Sequence, residues 1–258
     1  MARIGPYLTC TRNLPRQSLE TLVDSLLETL PDDNGPTPVI TVKTENPPSS
    51  PSNGQKPRQP TPVYDPSVVY VLEFCTVLAL RDQNTIELLT KRVVNAIGGI
   101  LRNASHYHPI LLERATFYLF TLLHASYDYD YVRVPVLLHT VSSFSKDTLM
   151  QASNLVLRGL KLCIEQPCPL RNEIMTSPDF WVILRTLAGN PEASPVVLEI
   201  LEAGILASPS AIVADNYEAA IALLNEFASM ASVGAAEEQK MDRRQGRKTR
   251  PPKQEKPR

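Results

Sequence analysis

Long apolar runs, cysteines and glycines are all scarce in this chain of 258 residues. No stretch approaches the roughly 18 consecutive apolar residues that a membrane-spanning helix needs. The first 15 residues hold Arg3, Pro6, Arg12 and Pro15 where a secretory signal would have an apolar core, which argues against such a signal. That opening is Arg-bearing and acid-free before Glu20, as transit peptides are, but it is poor in Ser and interrupted by Pro. Four cysteines, Cys10, Cys75, Cys163 and Cys168, are too few and too scattered for a disulfide scaffold. Cys75 and Cys163 sit inside apolar helical patterns and read as small core residues. The expectation is a reduced, cytosolic protein.

Motifs of chemistry are equally thin. Of ten glycines only Gly98 and Gly99 are adjacent. They lie inside a helical pattern with no Lys-Ser/Thr after them, so they predict close helix packing or a kink rather than a phosphate loop. No Gly-x-Ser-x-Gly, His-Glu-x-x-His or Cys-x-x-Cys occurs. His106 and His108 are metal ligands by type, but no Cys or carboxylate cluster completes a set, and a solvated or helix-capping role before Pro109 is expected. His124 and His139 sit near helix ends and read the same way. Cys163 and Cys168 lie on either side of an expected turn, with no second cysteine pair for zinc. Asp128 and Asp130, interleaved with Tyr127, Tyr129 and Tyr131, form an acidic aromatic loop that either meets a partner or simply connects. Nothing assembles a nucleophile, base and oxyanion hole, so neither an enzyme nor a cofactor is expected.

What the sequence does have is helices. In Gln17–Leu30, Leu19, Leu22, Val23, Leu26, Leu27 and Leu30 make one apolar stripe. A helix of that length is marginal alone and must dock on this chain's body or on a missing neighbour. Residues 1–30 therefore form a first segment. Pro31–Pro62 packs nine prolines into 32 residues and predicts a disordered linker over 31–63, relieved only by Val39-Ile40-Thr41-Val42. From 64 to 233 helix follows helix. Starts are expected at Pro66, Thr85, Pro109, near Val132, at Lys146 after a Ser145 cap, at Phe180 after Ser177-Pro178-Asp179, at Pro195 and at Asp215. Lys146–Glu165 reads as one helix. The last helix carries Tyr217, Ala220, Ile221, Leu224 and Phe227 as its stripe. Taken in pairs the helices recur about every 40 residues, the period of HEAT and armadillo arrays. The predicted fold is all-α, a HEAT/armadillo-like α-solenoid segment, with a compact bundle as the alternative.

The formal net charge of −1 hides a split. Lys240–Arg258 holds nine basic and two acidic residues, a +7 tail on a body of −8. Lys240, Arg243, Arg244, Arg247, Lys248, Arg250 and Lys253 are its candidate membrane or partner contacts, each worth about 1 kcal/mol near an anionic bilayer. Residues 234–258 predict a disordered extension, and without aromatics for base stacking no nucleic-acid role is expected.

Four stretches, Tyr127–Phe144 (YDYDYVRVPVLLHTVSSF), Pro169–Leu187 (PLRNEIMTSPDFWVILRTL), Ala214–Ala228 (ADNYEAAIALLNEFA) and Gly234–Arg244 (GAAEEQKMDRR), resemble the large Golgi-type Arf guanine nucleotide exchange factors of the GBF/Gea, brefeldin-A-resistance kind. The likeness is to the helical region downstream of their catalytic Sec-seven domain, and Leu22–Lys43 resembles the end of the preceding helical unit. It implies a regulatory, membrane-targeting part working with the Arf-type small GTPase system at anionic Golgi membranes or Golgi-associated proteins, cytoplasmic and peripheral, with homodimerisation open. No counterpart of the exchange domain or its glutamate is present, so the resemblance carries over no catalytic residue. It implies an interior piece, to which a Leu-striped first helix short of packing partners would correspond. The other reading is a helical-repeat scaffold unrelated to Arf that binds a peptide in its groove.

Overall fold

The computed structural model describes residues 9–31, 62, 64–165 and 169–231. Among these, regular structure is helical throughout: α1 (Arg16–Leu27), α2 (Pro66–Ala79), α3 (Gln83–Arg102), α4 (Pro109–Ser126), α5 (Val134–Ser142), α6 (Lys146–Gln151), α7 (Ser153–Ile164), α8 (Leu170–Thr176), α9 (Pro178–Ala188), α10 (Ser194–Ile205) and α11 (217–231). No described helix is long and apolar enough to cross a membrane. The chain divides into two units, 1–211 and 212–258. That division falls inside the stretch 64–233 expected as one domain.

Prolines start helices here. Pro66, Pro109 and Pro178 open α2, α4 and α9, where a missing N–H costs nothing because the first turn has no partner for it. Side chains satisfy the neighbouring orphan donors. Asp65 accepts the Ser67 N–H at 2.8 Å. Asp82 and Thr85 cap each other reciprocally, Oδ1 accepting the Thr85 N–H and Thr85 Oγ1 accepting the Asp82 N–H, both at 3.0 Å. This box moves the start of α3 two residues ahead of the expected Thr85. Ser145 caps α6 through the Thr148 N–H at 3.1 Å, as its position predicts.

In the first unit α4 is the hub, packed by α2, α3 and, most extensively, α7. It buries Leu112, Phe120, Leu122 and Leu123 completely or nearly so. Burial of each such side chain is worth about 1.5–3 kcal/mol against exposure. The α4–α7 seam closes on Gly159, where a Cβ would stand 2.5 Å from Phe120 Cδ2. Cys163, one turn on, is fully buried and donates its S–H to the Phe120 carbonyl at 3.5 Å. Glu113 of α4 accepts the Leu155 N–H at 3.2 Å, pinning the same seam at its far end.

Four features depart from the sequence reading. The first helix is not short of partners: α1 packs on α2 and α3, burying Leu19 and Val23, with Arg92 of α3 reaching Glu20 (3.6 Å) and Asp24 (3.1 Å). Lys146–Glu165 is two helices, broken at buried Ala152 (φ −87°, ψ 3°), where the chain turns so that α6 reaches α9 as well as α4 while α7 lies along α4. A further short helix, α8, precedes the Ser177-Pro178 start. In the second unit, α11 buries Ala220 and Leu223 and leaves Tyr217 57% and Ile221 38% exposed, so its buried face is rotated from the expected stripe. Of the linker expected over 31–63 only residues 31 and 62 are described, and the extension expected over 234–258 lies outside the described residues.

Candidate docking surface

Most polar side chains that a sequence search would single out are committed to holding helices in place. His108 caps α4, its Nδ1 accepting the Ile110 N–H at 3.2 Å, in line with the capping role expected for it. His139 Nδ1 lies 3.4 Å from Asp179 Oδ2, and Ser142 Oγ donates to the other oxygen of the same carboxylate, which ties α5 to the start of α9. His124 is half-buried, and that burial lowers its pKa. His106 is exposed in a single turn before α4. No group of His, Cys, Asp or Glu suited to a metal ion occurs among the described residues. The buried thiols of Cys75 and Cys163 are both pushed up to about 12 by burial, far from nucleophilic at neutral pH. Cys10 is exposed, and Cys168 lies outside the described residues.

The acidic aromatic loop is a clamp. Tyr127–Tyr129 is one tight turn ended by Asp130 in the left-handed region (φ 53°). Tyr127 donates to Glu173 of α8 at 2.8 Å, and burial with this bond pushes its phenol up to about 12. Tyr129 stacks on Tyr131 at 5.4 Å between ring centres and donates to Glu87 of α3 at 3.0 Å, while Gln83 donates to the Tyr129 oxygen. The loop is thereby tied to α8 through Tyr127 and to α3 through Tyr129.

Beside this clamp, α3 and α5 leave an open hollow of about 320 Å³. Its apolar part includes Leu101, Val132, Leu137 and Val136. The first three are buried; Val136 stands off the inward stripe of α5 and is 60% exposed. Arg102, at the last turn of α3, and Arg133, the residue before α5, add two exposed guanidinium groups, with Asp130 as the one carboxylate lining the hollow. On the other flank of α3 a second hollow of about 320 Å³ runs between Leu27, Leu30 and Ile100, edged by Glu28. Asn95 and Arg102 line both.

Between the two hollows lie Gly98 and Gly99. With Asn95 and Arg102 they fall at i, i+3, i+4 and i+7, one face of α3. The helix runs through them unbroken. A Cβ at Gly98 would meet only Arg102 Nη1, at 3.4 Å, so the close helix packing expected here is found instead at Gly159. Little in the sequence marks this surface. Its one available signal was Val136, an apolar residue off the Val134, Leu137, Leu138, Val141 stripe. The tail residues Lys240, Arg243, Arg244, Arg247, Lys248, Arg250 and Lys253 lie outside the described residues. Comparison with protein-family models, with curated proteins and with solved structures finds no match to this chain.

Proposed function

We propose that this chain works by docking rather than by catalysis, as a HEAT/armadillo-like helical segment of the kind that follows the Sec-seven domain in large Golgi-type Arf exchange factors. The observation that carries the docking reading is how its ionisable groups are used. Glu87, Glu113, Glu173, Asp82, Asp179 and His108 serve as caps and helix-to-helix ties, so what the body presents outward is shaped surface. The link to Arf exchange factors rests on the four resembling stretches, three of which supply the Tyr clamp and α5, then α8 and α9, then α11. In this role the body positions a partner while the +7 tail contributes attraction to an anionic membrane, at about 1 kcal/mol per basic residue near the surface.

The test is in two arms. The purified chain is expected to leave nucleotide release from Arf at its spontaneous rate; acceleration would overturn the non-catalytic reading. It is expected to co-sediment with vesicles containing anionic lipid and to lose this when residues 240–258 are removed. Retention on such vesicles after that removal would dismiss the tail as the membrane contact. The reading as a peptide-binding scaffold unrelated to Arf is favoured by a separate observation, the open hollow between α3 and α5.

A further inference from the structure

We infer that the hollow between α3 and α5 receives an acidic peptide segment of a partner, its carboxylates on Arg102 and Arg133 and its aliphatic side chains on Val136 and the buried floor beneath. This rests on the docking reading and does not depend on the link to Arf.

Charge argues for the sign of the occupant. Arg92, on the same helix, is engaged by Glu20 and Asp24, whereas Arg102 and Arg133 make no ion pair with any described residue. Two unengaged guanidinium groups face one lining carboxylate, Asp130, so the hollow is net positive on a body of net charge −8. An acidic segment is repelled over most of that body and attracted here, which fixes where it binds more than how tightly. Arginine suits the task because its planar fork takes a carboxylate through two parallel bonds.

Shape argues for a peptide. About 320 Å³ is at the small end of ligand pockets, enough for a few side chains seated on Leu101, Val132 and Leu137. Glycine inside a helix weakens it, and at Gly159 that loss is offset by contact with Phe120. Gly98 has no such neighbour from another helix. With only the end of the Arg102 side chain near it, Gly98 leaves a low crossing of α3 from this hollow to the one beside Leu27 and Leu30, letting an extended backbone approach Asn95.

The test selects from a displayed library of random 12-residue peptides with the full chain as bait, then measures a labelled consensus peptide by fluorescence anisotropy. Enriched sequences are expected to pair Asp or Glu with Leu, Ile or Val. Affinity is expected to fall at least tenfold in Arg102→Glu/Arg133→Glu, and severalfold in Val136→Asp and in Gly98→Leu. Lys91→Glu, an exposed charge on the same helix outside the hollow, is expected to leave affinity unchanged, and circular dichroism melting checks that each variant folds. Absence of any enrichment, a basic consensus, or indifference to the double charge reversal would overturn the proposal. So would two other occupants. Vesicles of phosphatidylserine lost on the same double reversal would mark the hollow as a lipid site. A gain in peptide affinity on removing residues 36–60 would mark it as covered by the chain itself.

Discussion

Gly159 and Gly98 are both interior glycines of well-formed helices, and they are used in opposite ways. Gly159 lets α7 settle against α4 until Phe120 fills the space a side chain would take. Gly98 faces no other helix, and only its own Arg102 lies near. The first is a packing device on the most extensively contacted seam of the molecule; the second bares a surface between two hollows. The same residue type in the same secondary structure therefore says nothing about role until its neighbours are known.

The sharpest way to break this contrast is to add the same methyl to both. Gly159→Ala should destabilise the first unit by about 1–3 kcal/mol, the usual penalty of overpacking a filled core. Phe120→Ala removes Cδ2 and Cγ, two of the three Phe120 atoms nearest that methyl, so the methyl should cost less in that background, a coupling that a double-mutant cycle by chemical denaturation would read. Unaltered stability in Gly159→Ala would mean the seam is looser than Phe120 implies.

Removing a cap away from the seam gives the next effect. Asp82→Ala should cost about 0.5–2 kcal/mol by opening the box that starts α3. The Thr85 N–H, then Arg81, lower the Asp82 pKa. Its contribution is therefore fully present above the ordinary Asp value of about 3.9 and fades as pH falls through the depressed folded value. Asp65, lowered by Ser67, follows the same sign. The double change Asp65→Asn/Asp82→Asn keeps capping side chains but removes both titrations, so acid unfolding below about pH 4 should become less steep in a pH series of melting curves.

Gly98→Ala should act in the reverse direction, raising stability by about 0.5–1 kcal/mol, since the helix gains and Arg102 is free to swing aside. A loss of stability there would point to a close neighbour on that face. Smallest is Arg92→Ala, at about 0.2–1 kcal/mol, because its pairs with Glu20 and Asp24 are partly exposed. The difference from the unaltered chain should shrink in 0.5 M salt, measured by the melting temperature of each.

The all-helical fold and most helix starts were legible, because Pro at a first turn and Asp or Ser before it act locally: Pro66, Pro109, Ser145 and Pro178 all mark starts. What escaped was decided at long range. Nothing in the order Met150-Gln151-Ala152-Ser153 forbids a continuous helix; at the break the chain turns so that α6 reaches α9 as well as α4, while α7 lies along α4. The stripe expected for α11 holds at Ala220, which is buried, but Tyr217 and Ile221, included by apolarity alone, are exposed, and Leu223 is buried instead. The hollow was hidden for the same reason. Arg102 ends α3 while Arg133 and Val136 belong to the start of α5, and the Tyr127–Tyr131 clamp, tied to α3 through Glu87, brings the two segments to one place. The basic tail was read from charge alone and lies beyond the described residues.

Trp181 is the only tryptophan in the chain. Its indole N–H reaches the Met175 carbonyl at 2.8 Å, its ring meets Phe180 edge-on at 5.1 Å, and 8% of it is exposed. The protein thus carries a built-in optical reporter at the corner where α8 turns into α9. Loosening of that corner brings water to the indole and moves its emission to longer wavelength, and every photon recorded at tryptophan excitation comes from one address.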